Sequence, residues 1–246
     1  MVESPRLPAI VTTSWDDGHR LDIRLAEMLM DNGLAGTFYV APESVEIASE
    51  DRLTRAATTL IADQFEIGAH TMTHPRLTRL KESGARGEIV GSRSYLEDVI
   101  GQPVTSFCYP GGEYRSEHVR LVQEAGFTYA RTVRRFALNP GSDPLRSPTT
   151  VHAYSHLVDT LPSFTYSRFD PMLAWDAYRH WDRLAMLLFD RFLEVGGIFH
   201  LWGHSWEIER NNQWTALQRV FKHIAVRPSV RYVVNGDIPY LKCGTS

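Results

Sequence analysis

The chain has little that would mark it for an oxidising compartment, a membrane or a polyanion. It contains two cysteines, Cys108 and Cys243, in 246 residues. They lie far apart and match neither a disulfide framework nor a zinc knuckle, so a reducing compartment is the default expectation. No apolar run approaches the roughly 20 residues that span a bilayer, and the opening Met1-Val2-Glu3-Ser4-Pro5-Arg6-Leu7-Pro8 lacks the apolar core of a secretory signal. A cytoplasmic location is therefore expected. A formal net charge of -3 removes the electrostatic reason to expect nucleic acid or an anionic membrane as partner. A neutral or sugar-like substrate fits better.

Short apolar or β-branched runs are present, and they alternate with amphipathic stretches. Residues 9–14, 37–41, 65–69, 104–109, 127–133, 198–202 and 230–234 read as strands. Helices are expected at 21–30, 52–63, 85–100, 117–125, 172–195 and 214–225, several closed by a glycine such as Gly33, Gly101, Gly126 or Gly196. This alternation makes about seven β/α units and a parallel sheet, in one domain over residues 1–246. The stretch 134–169 is too long for an ordinary connection and is expected to cover the site.

The polar clusters fall where a parallel barrel keeps its working groups, at the C-terminal ends of strands. Asp16 and Asp17 follow the first run, His70 the third, Tyr109-Pro110-Gly111-Gly112 the fourth, Arg131 the fifth, and His200 to His204 the sixth. His70-Thr71-Met72-Thr73-His74 sets two imidazoles one helical turn apart, or close together on a turn. Two histidines with one carboxylate leave open positions on zinc or a similar divalent ion. Alone, the histidines read as an exposed pair, and Asp16-Asp17-Gly18 is ordinary turn and N-cap chemistry. Together they allow more. Adjacent residues leaving a strand point in different directions, so one carboxylate can bind an ion while its neighbour stays free to take a proton from water.

Ser14-Trp15-Asp16-Asp17-Gly18, His70-Thr71-Met72-Thr73-His74 and Phe107-Cys108-Tyr109-Pro110-Gly111-Gly112, in this order, resemble the first three motifs of the polysaccharide deacetylase (NodB-homology) family. The resemblance runs from Ala9 to about Val234. It implies a distorted, TIM-like (β/α)7 barrel and hydrolysis of N-acyl or O-acyl groups on sugars. It also implies a divalent metal, commonly zinc, with cobalt, iron or manganese as alternatives. By motif position Asp16 is the general base, Asp17, His70 and His74 are the metal ligands, and the backbone N–H of Gly111 serves the oxyanion.

The chain departs from the family pattern in two places. An arginine usually stands two residues before the motif proline, where this chain has Cys108; Arg131, at the end of the next expected strand, could bring a guanidinium to the same place. The family's last motif has two candidates here, His200 and His204, which share a face of an extended strand with Trp202. His204 lies nearer the C-terminal end and is expected to be the general acid, with His200 a hydrogen-bonded core residue. The acidic residue and tryptophan that normally follow the fifth strand are not recognisable around Arg131-Thr132-Val133-Arg134-Arg135, so the acid has no assigned partner. Among nearby aromatics, Trp202 and Trp206 are expected to stack on a sugar ring.

The expected activity is metal-assisted removal of an acetyl or formyl group from an N-acylated sugar or polysaccharide precursor. Two alternatives stay open: a hydrolase of a non-sugar amide on the same barrel, and an inactive, metal-dependent carbohydrate-binding protein.

Overall fold

The longest apolar run becomes the central strand. In the computed structural model, which describes residues 9–139, 141–159, 163, 165–168 and 170–241, β1 (Ala9–Asp17) is buried along all but its first residue. Cys243 and the first eight residues lie outside that description. A strand buried on both faces and paired on both edges gains most from a continuous apolar sequence. One edge of β1 pairs with β7 (Gly197–Gly203) from Ala9 to Trp15. The other edge is shared: β8 (Val230–Tyr232) takes residues 9–11, and β2 (Thr37–Val40) takes residues 14–17.

From β2 the sheet continues through β3 (Glu66–Ala69) and β4 (Ser106–Cys108) to β5 (Tyr129–Arg131); beyond β7 it ends in β6 (Val151–His152). Every strand pair is parallel. Backbone bonds then stitch the gap between β5 and β7. Thr132 donates to the Ser147 carbonyl at 2.9 Å, Ser147 to Ala130 at 2.9 Å, and Thr150 to His200 at 3.0 Å. The result is a distorted α/β barrel of seven staves, with β8 bracing the start of β1.

The helices are α1 (Asp22–Asp31), α2 (Arg55–Ala62), α3 (Glu82–Ile100), α4 (Ser116–Glu124), α5 (Pro171–Arg179), α6 (Trp181–Val195), α7 (Ser205–Arg210) and α8 (Trp214–Ile224). Each of the longer ones turns an apolar stripe inward, as Leu25 and Leu29 on α1 or Leu217, Val220, Phe221 and Ile224 on α8 do. Gly33, Gly101 and Gly126 take the left-handed conformation that ends a helix.

Three expectations need correction. The helix expected over 172–195 is two helices that break at His180, whose backbone is extended. Leu184, Leu188 and Phe192 are buried, whereas Met172, Leu173 and Trp175 are exposed, so one apolar stripe does not run through both pieces. The stretch 134–169 is not only a cover, because it contributes β6 and the bonds that close the barrel. The six-residue α7, unforeseen from the sequence, follows His204 directly. No helix among the described residues is long and apolar enough to cross a membrane.

Candidate active site

Parallel strands deliver their C-terminal ends to one rim. β1 ends on Asp16 and Asp17, both buried, and Asp17 holds a φ of 83° that non-glycine residues rarely adopt. β3 delivers His70. The next residues do not form a helix: Thr71 and His74 have φ near +60°, which folds the chain into a tight turn. Glu88 of α3 pins that turn, accepting the N–H groups of Met72 and Thr73 at 2.8 and 2.9 Å and the Thr73 hydroxyl at 2.7 Å.

The turn brings His74 back against His70 and Asp17. Asp17 Oδ1 lies 3.6 Å from His70 Nε2 and 3.4 Å from His74 Nε2, and the two ring nitrogens are 3.1 Å apart. His70 Nδ1 sits 2.8 Å from the Cys108 carbonyl oxygen, which can only accept, so Nδ1 carries the proton and Nε2 a lone pair. His74 Nδ1 lies 3.0 Å from a Glu46 carboxylate oxygen without making a hydrogen bond to it. Burial, then the neighbouring His74, push the His70 pKa down to about 4, so the ring is neutral.

The lone pair of His70 Nε2, the His74 Nε2 and a buried carboxylate oxygen without a hydrogen-bond partner therefore face one another. A cation placed among them would meet all three donors. Three donors roughly 3.3 Å apart are also what ligands about 2 Å from a common ion require. The residues fit a divalent metal, with Asp17, His70 and His74 as its holders.

Asp16 stands beside this trio and is held from its other side. Arg131, fully buried at the end of β5, donates through Nη2 to Asp16 Oδ2, and its guanidinium lies over the rings of Tyr39 and Trp202. Arg131 Nη2 is also 3.0 Å from Cys108 Sγ, and that sulfur is 3.7 Å from Asp16 Oδ2. The side chain of residue 108 thus faces the same carboxylate. Burial alone would raise the Asp16 pKa, but Arg131, with His70 and His204, brings it down to about 2. Asp16 Oδ1 has no partner and remains free.

On the opposite wall His204 follows β7 and caps α7. Its Nε2 lies 3.9 Å from Asp17 Oδ2, and its Nδ1 is 3.2 Å from Glu207 Oε2. Burial opposes its charge, yet Asp17, the Glu207 hydrogen bond and Asp16 raise its pKa to about 9. Glu207 is the carboxylate partner that sequence reasoning missed. The signal was there, because His204-Ser205-Trp206-Glu207 puts an acid three residues on, within reach across the first turn of a helix. His200 sits deeper, with Nε2 2.8 Å from the Ser14 hydroxyl, and burial holds it neutral.

The expected sugar-stacking role does not suit Trp202. Its ring is 6% exposed and already engaged by His152, stacked at 3.8 Å and 7°, and by the Arg131 guanidinium at 4.6 Å. Trp206 donates its indole N–H to Asp17 Oδ2 at 2.8 Å, so it orients that carboxylate. Both tryptophans, with Asp16, Asp17, His70, His74, Gly111 and His204, border a cavity of about 390 Å³. Gly111 has a φ of 61° in the Pro110–Gly112 turn, while the neighbouring Gly112 N–H is taken by the Tyr109 carbonyl.

The fold recurs in solved structures. A Mycobacterium smegmatis chain assigned to the polysaccharide deacetylases superposes with a TM-score of 0.65 over 97% of this chain and 92% of that one, at 16% identity. A Streptococcus pyogenes deacetylase solved in complex with acetate gives 0.52 at 18% identity, over 56% of this chain and 62% of that one. A CE4-family pseudoenzyme from Bacillus anthracis gives 0.51 at 16% identity, over 91% and 63%. This chain therefore spans less than two thirds of the length of the latter two. No curated protein matches it by sequence. The family profile described as polysaccharide deacetylase matches residues 4–130, which include the donor trio, Asp16 and the Tyr109–Gly112 segment, and the chain belongs to that family.

Proposed function

We propose that this protein is a metal-dependent deacylase that hydrolyses an acyl group, acetyl before formyl, from the nitrogen of a sugar or polysaccharide precursor. The observation that carries the reading is the convergence of Asp17 Oδ1, His70 Nε2 and His74 Nε2 beside the unpartnered Asp16 Oδ1. Zinc suits two imidazoles and a carboxylate, with cobalt, iron and manganese as alternatives. A divalent ion held there supplies Lewis acidity at the acyl carbonyl and to water.

The chain's own residues do the rest. Asp16, ionised and held in place by Arg131, accepts the proton of the attacking water at Oδ1. The Gly111 N–H donates to the oxygen that gains charge. His204, cationic across neutral pH, gives its Nε2 proton to the departing nitrogen, because an amine is too basic to leave as an anion. Glu207 and Trp206 orient the acid and the Asp17 carboxylate.

The test is release of acetate from N-acetylated sugar oligomers by metal-loaded protein, with Asp16→Asn as control. We expect turnover in the wild type and a loss of at least 10²-fold in the variant. A chain that binds metal yet releases no acetate from any N-acetyl sugar would be a carbohydrate binder, as the Bacillus anthracis pseudoenzyme cautions.

A further inference from the structure

A second donor group stands on the far side of the His204 ring. His152 at the end of β6, His204 and Glu207 bring two imidazole nitrogens and a carboxylate oxygen together. His152 Nε2 and His204 Nδ1 each lie 3.2 Å from Glu207 Oε2. Both separations suit ligands about 2 Å from one ion, and all three donor atoms lie within 4.8 Å of one another.

An independent observation concerns His152 itself. The residue is 5% exposed, and its Nε2 has no hydrogen-bond partner although it points at a carboxylate. Buried ring nitrogens are ordinarily paired. The other nitrogen, Nδ1, is 2.7 Å from His156 Nε2. When Nδ1 donates to His156, Nε2 carries a lone pair toward Glu207, the same arrangement that the Cys108 carbonyl imposes on His70. Two acceptors facing each other inside the protein leave a place for a cation.

We propose that His152, His204 and Glu207 form a second divalent-cation site, separate from the Asp17–His70–His74 site, and that filling it stops turnover. The two sites share no donor atom. Two imidazoles and one carboxylate suit zinc and similar borderline ions better than magnesium or calcium. The inhibitory half rests on His204 being the acid. A cation on Nδ1 replaces the hydrogen bond to Glu207 that orients the ring, so the ring loses the contact that positions it to donate from Nε2. The binding half does not depend on that reading.

The experiment is calorimetric titration of the metal-stripped full chain with zinc, followed by cobalt absorption spectra, on wild type, His152→Phe and the His70→Ala/His74→Ala double variant. Phenylalanine keeps a ring against Trp202 and removes both nitrogens; an unchanged melting temperature shows that it folds. Wild type is expected to bind two equivalents and each variant one, with the first-site Kd unaltered in His152→Phe. Acetate release should rise to one equivalent and fall at least tenfold at two in wild type, and stay high in His152→Phe. A single equivalent in wild type, or a second equivalent or zinc inhibition retained by His152→Phe, overturns the proposal. Two equivalents bound with no turnover at any loading would support the second site while removing the deacylase reading.

Discussion

Replacing Arg131 with methionine removes a buried guanidinium and leaves Asp16, 2% exposed, without the group that donates to it. Methionine fills much of the same space, so the cavity left is small and the effect is electrostatic. Breaking a buried ion pair by deleting one member costs about 3–5 kcal/mol. The sign of the pH dependence follows from Asp16. Its folded pKa of about 2 lies below the ordinary 3.8, so its contribution to stability is present above pH about 4 and lost as pH falls toward 2. Without Arg131 burial dominates, the carboxyl moves upward, and the variant loses stability as pH rises through the new value. Urea unfolding of both proteins in chelator should show a gap of about 3–5 kcal/mol at pH 7 that narrows toward pH 4. Acetate release at pH 7 should fall by about 10²-fold, because the carboxylate that accepts the proton loses the group that holds it in place and favours its ionised form. Adding Cys108→Arg to the variant should return part of both losses, since that side chain faces the same carboxylate. A variant as stable and as active as wild type from pH 4 to 8 would refute the pairing argument.

Two further outcomes are expected. Glu207→Gln should move the basic limb of the kcat profile down by about one pH unit or more. The His204 pKa is raised above 6.5, so its charge persists through neutrality and is lost as pH rises through about 9; once a cation draws on Asp17, Glu207 is the main remaining support. A limb that does not move would remove Glu207 as the partner. Glu88→Ala frees the turn that carries His74 and should weaken zinc binding about 10–100-fold, with kcat at saturating metal close to wild type. Competition titration against a chromophoric chelator reads the affinity, and an unchanged Kd would show that the turn holds itself.

The barrel was legible because parallel strands buried on both faces leave short apolar runs; all seven runs became strands, the last of them β8, which braces β1 with Arg231 exposed. β6 left no such trace. It is two residues long, sits after Thr149 and Thr150, and is held by bonds to β7 rather than by its own composition. The break at His180 was invisible for a related reason, since nothing in composition distinguishes an apolar stripe that will be covered from one that stays exposed, as Met172 and Trp175 do.

In the site, legibility followed physical demand more than motif position. The donor trio could be read because two of its members stand four residues apart and the third adjoins a second aspartate. Arg131 could be read from an absence: a buried carboxylate needs a cation, and Cys108 cannot supply one. The carboxylate for His204 obeyed the same demand but was sought after β5, where the family usually keeps it, while α7 supplies it as Glu207. Trp202 was misjudged because an aromatic in a motif does not say which way a strand turns it, and here the ring packs between His152 and Arg131. The arginine has moved one strand along and the carboxylate has moved to the helix after β7, yet each charge still meets its opposite. At this rim each buried charge is met by its opposite, from chain positions chosen by reach across the barrel rather than by place in a motif.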